Sequence, residues 1–84
     1  MNIQLRFFAS LREALGSGSA IELPAPGMTV GQLRDHLIGL SPAHAEALRR
    51  GRALRCALNQ QLCSEDAVVP DGAELAFFPP VTGG

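Results

Sequence analysis

The final eight residues, Phe77–Gly84, hold the groups best suited to chemistry in this 84-residue sequence. Proline has no amide hydrogen and a fixed φ, so Pro79-Pro80 ends a strand and stiffens the exit of the chain. Glycine lacks a Cβ, so Gly83-Gly84 can pass through a channel little wider than the backbone. Fully extended, the six residues from Pro79 onward span at most about 20 Å. We therefore predict an arm, Val81, Thr82, Gly83 and Gly84, that carries the Gly84 carboxylate as a substrate into the active site of another protein.

Ordinary disorder is the alternative explanation for a terminal pair of glycines, because chain ends often fray. The aromatic strand and the double proline in front of Gly83-Gly84 favour the arm, since a disordered end needs neither. We expect one domain at residues 1–80 and a flexible arm at residues 81–84.

Composition argues against several classes of function. The net charge of −1 and only four aromatic residues, all Phe, leave little with which to attract and stack nucleic acid. No apolar run approaches the ~20 residues of a transmembrane helix and no signal peptide is evident, so we expect a soluble cytoplasmic protein that does not bind membranes. All seven basic residues are arginine, so no lysine offers a side-chain amine through which copies of the protein could be joined.

The other side chains form no recognisable catalytic or metal site. His36 and His44 lie on predicted helices, without a serine or cysteine placed to act as a nucleophile. Cys56 and Cys63 lack zinc-binding spacing, and a two-residue turn at Asn59-Gln60 would place them opposite each other on paired strands. We interpret them as small buried apolar residues rather than as a redox pair. The chain itself is expected to bind neither a cofactor nor a metal.

Hydrophobic periodicity predicts an α+β fold with five strands. A period of two marks strands near residues 3–7, 20–23, 54–58, 62–64 and 74–78, and a helical period marks residues 30–40, with Leu40 on the apolar side. Capping boxes at Ser10–Glu13 and Thr29–Gln32 predict two helix starts, and Ser41-Pro42 predicts a third helix that continues to Gly51. We expect the helices to pack on one face of a mixed sheet, with the first and last strands parallel neighbours in its middle.

Three apolar side chains are expected on the outward face of that sheet. Phe8 falls on the polar side of the first strand, and Phe78 on that of the last, because Phe77 points inward. In the register set by the Asn59-Gln60 turn, Leu62 shares this side. A contiguous exposed apolar patch usually marks a partner surface. We predict a docking surface made of Phe8, Leu62 and Phe78, with Arg12 at its rim.

The sequence resembles the small, sulfur-carrier subunit of molybdopterin synthase over its whole length. The resemblance rests on Phe7-Phe8-Ala9, Leu11-Arg12-Glu13, Leu58-Asn59-Gln60 and above all Asp71–Gly84. Ala73 stands where that family commonly has Asp, at a turn position without catalytic meaning. The resemblance implies the ubiquitin-like β-grasp fold, which agrees with the strand order predicted above.

The resemblance also implies the chemistry and the partners. An adenylyltransferase similar to the ubiquitin-activating enzymes would use ATP and magnesium to convert the Gly84 carboxylate into an acyl-adenylate. A sulfur donor would then replace AMP and leave a thiocarboxylate. The arm would next enter the large subunit of a heterotetrameric synthase, where the sulfur attacks a cyclic pyranopterin precursor. The chain would be the sulfur-donating subunit without an active site of its own.

Three alternative functions remain open. A sulfur carrier for thiazole or another thio-metabolite shares the fold and the Gly-Gly end, although Phe77–Thr82 favours the molybdopterin branch. A ubiquitin-like protein modifier is chemically possible, because an adenylated Gly84 can acylate a lysine of another protein. A plain interaction module makes no demand on the end of the chain.

Overall fold

Five strands and three helices make up the described part of the computed structural model, residues 1–24 and 27–80. In chain order they are β1 (Asn2–Phe7), α1 (Ser10–Leu15), β2 (Ala20–Glu22), α2 (Val30–Ile38), α3 (Pro42–Ala47), β3 (Arg55–Leu58), β4 (Gln61–Cys63) and β5 (Glu74–Phe78). Within these ranges, no helix is both long and apolar enough to cross a membrane.

The strands form one mixed sheet in the order β2-β1-β5-β3-β4. Its centre is the predicted parallel pair of β1 and β5, and every other pairing is antiparallel. Leu5 lies opposite Leu75 and Phe7 opposite Phe77, and all four side chains are buried. One face of the central pair is therefore continuously apolar, as the alternation of residue types predicted.

The helices cover this inner face and complete one hydrophobic core. Leu11 of α1 and Leu33 and Leu37 of α2 are fully buried in the same cluster as the central strands. Burial of such side chains contributes roughly 1.5–3 kcal/mol each and is the main stabilising term in so small a domain. The predicted α+β arrangement, with helices on one face, is confirmed.

The start of α2 is as predicted, but its end is not. Thr29 Oγ1 accepts a hydrogen bond from the Gln32 amide at 3.1 Å, and Gln32 Oε1 accepts from the Thr29 amide at 2.9 Å, which completes the capping box. The helix ends at Ile38, and the Gly39 amide bonds to the His36 carbonyl in a tighter turn. This turn takes Leu40 off the apolar stripe, so the side chain predicted to be buried is 51% exposed.

The capping box predicted at Ser10 is wrong. Ala9 is the N-cap of α1, with φ 54°, and no side chain caps this helix. The Ser10 hydroxyl instead accepts a 2.6 Å hydrogen bond from Nη2 of Arg52, 42 positions away along the chain. Arg52, which is distant in sequence, therefore binds the hydroxyl oxygen that the local pattern predicted to cap the helix.

The third helix is also shorter than predicted, because a buried arginine binds the backbone that follows it. α3 ends at Ala47 instead of continuing to Gly51. Nε of Arg34 donates to the Leu48 carbonyl at 2.8 Å, and Nη2 donates to the carbonyls of Arg49 at 2.6 Å and Arg52 at 3.0 Å. These carbonyls accept hydrogen bonds from one guanidinium group instead of pointing along the axis of a helix that continues.

The β3–β4 hairpin has the register that its turn residues predicted. Asn59 and Gln60 have φ values of 48° and 70°, the left-handed conformation that a type I′ hairpin turn requires at both positions. Cys56 consequently lies opposite Cys63, and Ala57 opposite Leu62. The predicted pairing is confirmed residue by residue.

The connection between α1 and β2 is held against the edge of β1. The amides of Leu5 and Phe7 donate to the carbonyls of Ser19 at 2.8 Å and Ser17 at 3.0 Å. Gly18, between them, has φ 131°, and a Cβ built there would lie 2.0 Å from the Leu5 carbonyl oxygen. Only glycine fits this approach of the two backbones.

Candidate functional site

The outer face of the sheet, on the side opposite the helices, carries the residues predicted to bind a partner. The register places Arg6, Ala76, Ala57 and Leu62 in one row across four strands, and Phe78 and Arg55 in the next. Phe8 directly follows β1 and extends this second row, because its amide donates to the Phe77 carbonyl at 3.3 Å. The second row lies at the end of the sheet where the chain leaves β5.

Phe8 and Phe78 project from neighbouring central strands on this face. Strand alternation turns Phe7 and Phe77 into the core, so the next residue of each strand faces outward. Phe8 is 42% exposed, and Cζ of Arg6 lies 5.7 Å from the centroid of its ring, within cation–π range. Arg6 Nη1 also lies 3.3 Å from Glu74 Oε1, so the guanidinium that borders Phe8 is itself tethered.

Leu62 lies two strands away from Phe78 on the same face, at a lateral separation of about 10 Å. It is the most exposed large apolar side chain among the described residues, at 69%. Between the two lie Ala57 and Ala76, whose small side chains leave a shallow floor. The structure thus brings Phe8, Leu62 and Phe78 onto one surface joined by alanines, which we call the outer patch. Its role in binding a partner stays a prediction.

Arg55 borders the outer patch, and Arg12, the residue predicted at its rim, follows Phe8 by one helical turn. Arg12 is exposed on α1, and its amide lies 3.4 Å from the Phe8 carbonyl, which places it one turn beyond Phe8. Arg55 is exposed on β3 directly opposite Phe78. Within residues 1–24 and 27–80, neither guanidinium forms an ion pair. An exposed guanidinium beside Phe78 favours a partner that presents carboxylates around an apolar centre.

The predicted arm begins where the described residues end. Pro79 is half-buried and Pro80 is exposed at the end of β5. The four residues predicted to form the arm, Val81, Thr82, Gly83 and Gly84, lie outside the described residues. Pro80 borders a cavity of about 350 Å³ at the open end of the β3–β4 hairpin. Its other lining residues are Ala53, Leu54, Arg55, Cys56, Leu62, Cys63, Ser64 and Glu65.

The two cysteines meet in this cavity. Cys56 is buried and Cys63 is half-buried, and their Sγ atoms are 3.7 Å apart. Burial, together with the hydrogen bond to Cys63, raises the pKa of the Cys56 thiol to about 12. The prediction of two buried apolar side chains therefore holds for Cys56 only, because β4 is an edge strand and leaves Cys63 partly uncovered.

An ionic cluster supports the loop that follows β4. Glu65 accepts hydrogen bonds from Arg34 at 2.7 Å and from Arg50, and Nε of Arg50 donates to Asp35 at 2.8 Å. Burial by itself would raise the pKa of Glu65, but the hydrogen bonds from the two guanidinium groups outweigh it and leave that pKa lowered. The hydrogen bond from Arg50 likewise lowers the pKa of Asp35. The cluster joins α2 to the loop that lines the cavity beside Pro80.

This cluster was not predicted from the sequence, although one signal was present. Arg34 is only 3% exposed, and it lies four residues after Val30, on the same stripe as Val30, Leu33 and Leu37. A charged residue at a buried position of an apolar stripe indicates a dedicated set of partners. The partners themselves, in α3 and after β4, are not visible from local spacing.

Comparison with known proteins identifies relatives along the whole chain. A model of the ThiS family matches residues 5–84. The molybdopterin synthase sulfur carrier subunit of Escherichia coli (strain K12) is 48% identical over 82 residues, which cover 98% of this chain and 99% of that protein.

Two solved structures share the fold. The small archaeal modifier protein 1 of H. volcanii has a TM-score of 0.74 at 28% identity, with 95% of this chain and 98% of that chain covered. A chain from the complex of subunits 1 and 2 of the molybdopterin-converting factor of Helicobacter pylori 26695 has a TM-score of 0.67 at 26% identity, with both chains fully covered. These neighbours confirm the predicted β-grasp fold.

Proposed function

The chain belongs to the ThiS family, and we propose that within this family it is the sulfur-carrier subunit of a molybdopterin synthase. The observation that carries the proposal is the 48% identity to the Escherichia coli protein of that name over nearly the full length of both chains. The Helicobacter pylori neighbour is one of two subunits in a complex, and a large synthase subunit is accordingly the partner of this chain.

The proposal divides the chain into a body and a reagent. Residues 1–80 form the body that partners hold, and residues 81–84 form the arm that reacts. The outer patch supports this division, because Phe78 is the last residue of β5 and lies only two residues before Pro80. A partner that grips Phe78 fixes the start of the arm, and four extended residues beyond Pro80 reach about 13 Å into its active site.

The carboxylate of Gly84 is the proposed reacting group, and it has to be activated first. A carboxylate is a poor electrophile, so an adenylyltransferase of the ubiquitin-activating type joins it to AMP with consumption of ATP and with magnesium. Sulfide from a sulfur donor then attacks the acyl carbon and displaces AMP. The product is a thiocarboxylate on Gly84. ATP and magnesium belong to the activating partner, and this chain binds no cofactor in the proposed cycle.

Transfer of sulfur follows in the large subunit. The thiocarboxylate sulfur attacks a cyclic pyranopterin precursor, and hydrolysis of the resulting acyl intermediate returns the Gly84 carboxylate. Docking through Phe8, Leu62 and Phe78, with Arg12 at the rim, holds the tip at high effective concentration. Val81, Thr82 and Gly83 supply length and a narrow cross-section. Because the cycle consumes ATP and reduced sulfur, we assign the protein to the cytoplasm.

Intact-mass spectrometry tests the proposal. The purified protein is incubated with a cognate activating enzyme, ATP, magnesium and a sulfide source, and a matched sample lacks ATP. Exchange of one carboxylate oxygen for sulfur adds about 16 Da, because the thiocarboxylate differs from the carboxylate by that one atom. We expect this gain only with ATP. A mass that stays unchanged with an enzyme shown to adenylate another carrier would refute the proposed role of Gly84.

A protein modifier is the second candidate function, and the likeness to small archaeal modifier protein 1 is the observation that favours it. The same adenylate would then be attacked by a lysine amine of a target protein. This chain has no lysine, so self-linked chains through side-chain amines are excluded. An affinity-tagged copy expressed in cells distinguishes the two: ladders of larger conjugates support a modifier, and a thiocarboxylate without conjugates supports a carrier.

A further inference from the structure

The two cysteines are placed for a reaction that sulfur carrying does not use. They are direct partners in the register of β3 and β4, and their Sγ atoms are separated by 3.7 Å. A disulfide bond is about 2.05 Å long, so the sulfurs need to approach by only about 1.7 Å. The Asn59-Gln60 turn fixes this register, because a slip by one residue would place the two thiols on opposite faces.

The surroundings of the pair leave the Cys63 thiol partly accessible and the Cys56 thiol buried. Cys56 is 4% exposed, and its Sγ also lies 3.3 Å from the Cys63 carbonyl. Cys63 is half-buried, and both residues line the cavity of about 350 Å³ at the open end of the hairpin. β4 is the outermost strand, so Cys63 can shift toward Cys56 without displacing the central pair of strands. A small disulfide therefore meets Cys63 first.

We propose that Cys56 and Cys63 form a redox site that reacts with low-molecular-weight disulfides, such as oxidised glutathione, and closes a reversible disulfide across the β3–β4 hairpin. The Cys63 thiolate attacks one sulfur of the small disulfide, forms a mixed disulfide and releases one thiol. Cys56 then loses its proton and attacks Sγ of Cys63, which releases the second thiol. Two protein thiols are oxidised, and one small disulfide is reduced to two thiols.

The site is independent of the Gly84 chemistry, so it can be tested on the isolated protein without an activating enzyme. Fully reduced wild-type protein is incubated with an excess of oxidised glutathione, and remaining thiols are alkylated under denaturing conditions. We expect a mass about 2 Da below that of the reduced protein, with no alkylation, because two hydrogens leave and no glutathione is retained. Reductant should restore both alkylation sites.

Proteolysis locates the bond. Trypsin leaves both cysteines in one peptide, because no arginine or lysine lies between them, whereas chymotrypsin cleaves after Leu58 or Leu62. We expect the chymotryptic peptides of Cys56 and Cys63 to migrate as one linked species until reductant separates them. Cys56→Ser should stop at the mixed disulfide on Cys63, about 305 Da heavier, since the second thiol is missing. Cys63→Ser should react much more slowly, because Cys56 is buried.

Circular dichroism checks that both variants are folded, and the wild-type measurement stands whatever the variants do. Three wild-type outcomes would each overturn the proposal: two free thiols after prolonged incubation, stable glutathione adducts without a cross-link, or disulfide-linked dimers instead of an internal bond. A linked, adduct-free monomer that reductant reopens supports it.

Discussion

The rings of Phe7 and Phe77 stack across the parallel β1–β5 pair, with centroids 6.4 Å apart and planes inclined by 19°. This stack aligns the ends of the two strands from inside the core. Because side chains alternate along a strand, Phe8 and Phe78 then leave the opposite face side by side. The inner stack thus positions the two aromatic residues of the outer patch beside Pro79-Pro80, where the proposed arm begins.

The outer patch predicts a loss of affinity on substitution. Phe78→Ala and Phe8→Glu should each weaken binding to the large synthase subunit by about 1–3 kcal/mol, because buried aromatic anchors dominate such interfaces. Isothermal titration calorimetry measures the effect. Leu40→Ala is a matched control, since Leu40 is also exposed and apolar but lies beyond the end of α2. Wild-type affinity in both Phe variants would show that the outer patch is not part of the interface.

The proposed tip predicts sensitivity to length at the end of the chain. Deletion of Gly84, or addition of one alanine after it, should abolish the gain of about 16 Da in the loading reaction, because the acyl carbon no longer reaches the position at which the activating enzyme works. The free energy of unfolding should stay within about 0.5 kcal/mol of wild type, since residues 1–80 carry the core. Loading of either variant at the wild-type rate would contradict the proposal.

The buried arginine predicts a large loss of stability. Arg34→Leu removes the side-chain donor of three carbonyls and one of the two arginine donors of the Glu65 carboxylate, so the free energy of unfolding should fall by about 3–5 kcal/mol. Urea unfolding monitored by circular dichroism measures this loss in the free energy of unfolding. Arg49→Leu serves as the control: its guanidinium is 56% exposed and 3.8 Å from Glu46, so the change should stay within about 0.5 kcal/mol. Equal losses in the two variants would show that burial of Arg34 confers no special stability.

The ionic cluster predicts the direction of acid unfolding. The pKa of Glu65 is lower in the folded protein, so its contribution to stability is present above the unfolded value, about 4.3, and is lost as pH falls through the folded value. Arg50→Gln removes a cation that both Glu65 and Asp35 use, so acid unfolding should begin at a higher pH than in wild type. Glu65→Gln should make stability less dependent on pH below about 5. Acid transitions identical to wild type in both variants would contradict this role.

Much of the fold was predictable because its signals are local. The limits of β5, the capping box at Thr29 and the hairpin register through Asn59-Gln60 each depend on a few adjacent residues. The parallel neighbours β1 and β5 followed from their alternation and from the helices between them. The same reasoning selected Phe8, Leu62 and Phe78, which the structure places on one face.

Most of the errors depend on contacts distant in sequence, although the wrong end of α2 reflects a local turn at Gly39. Ser10 was assigned to a helix cap, but Arg52 binds its hydroxyl. The third helix was extended to Gly51, but Arg34 binds the carbonyls that would have continued it. The half-burial of Cys63 depends on β4 lying at the edge of the sheet, which only the strand order reveals. Residue spacing along the chain does not predict these contacts.

The position of β5 also bears on how the protein is made. It is the last strand in the sequence, yet it lies between β1 and β3 at the middle of the sheet. The β2–β1 and β3–β4 pairs therefore cannot join into one sheet until the ribosome has completed Glu74–Phe78. A product of premature termination would leave the inner edges of β1 and β3 unpaired. Such a fragment lacks Phe78 and an intact outer patch, so we expect that unfinished copies do not compete with complete ones for a large synthase subunit.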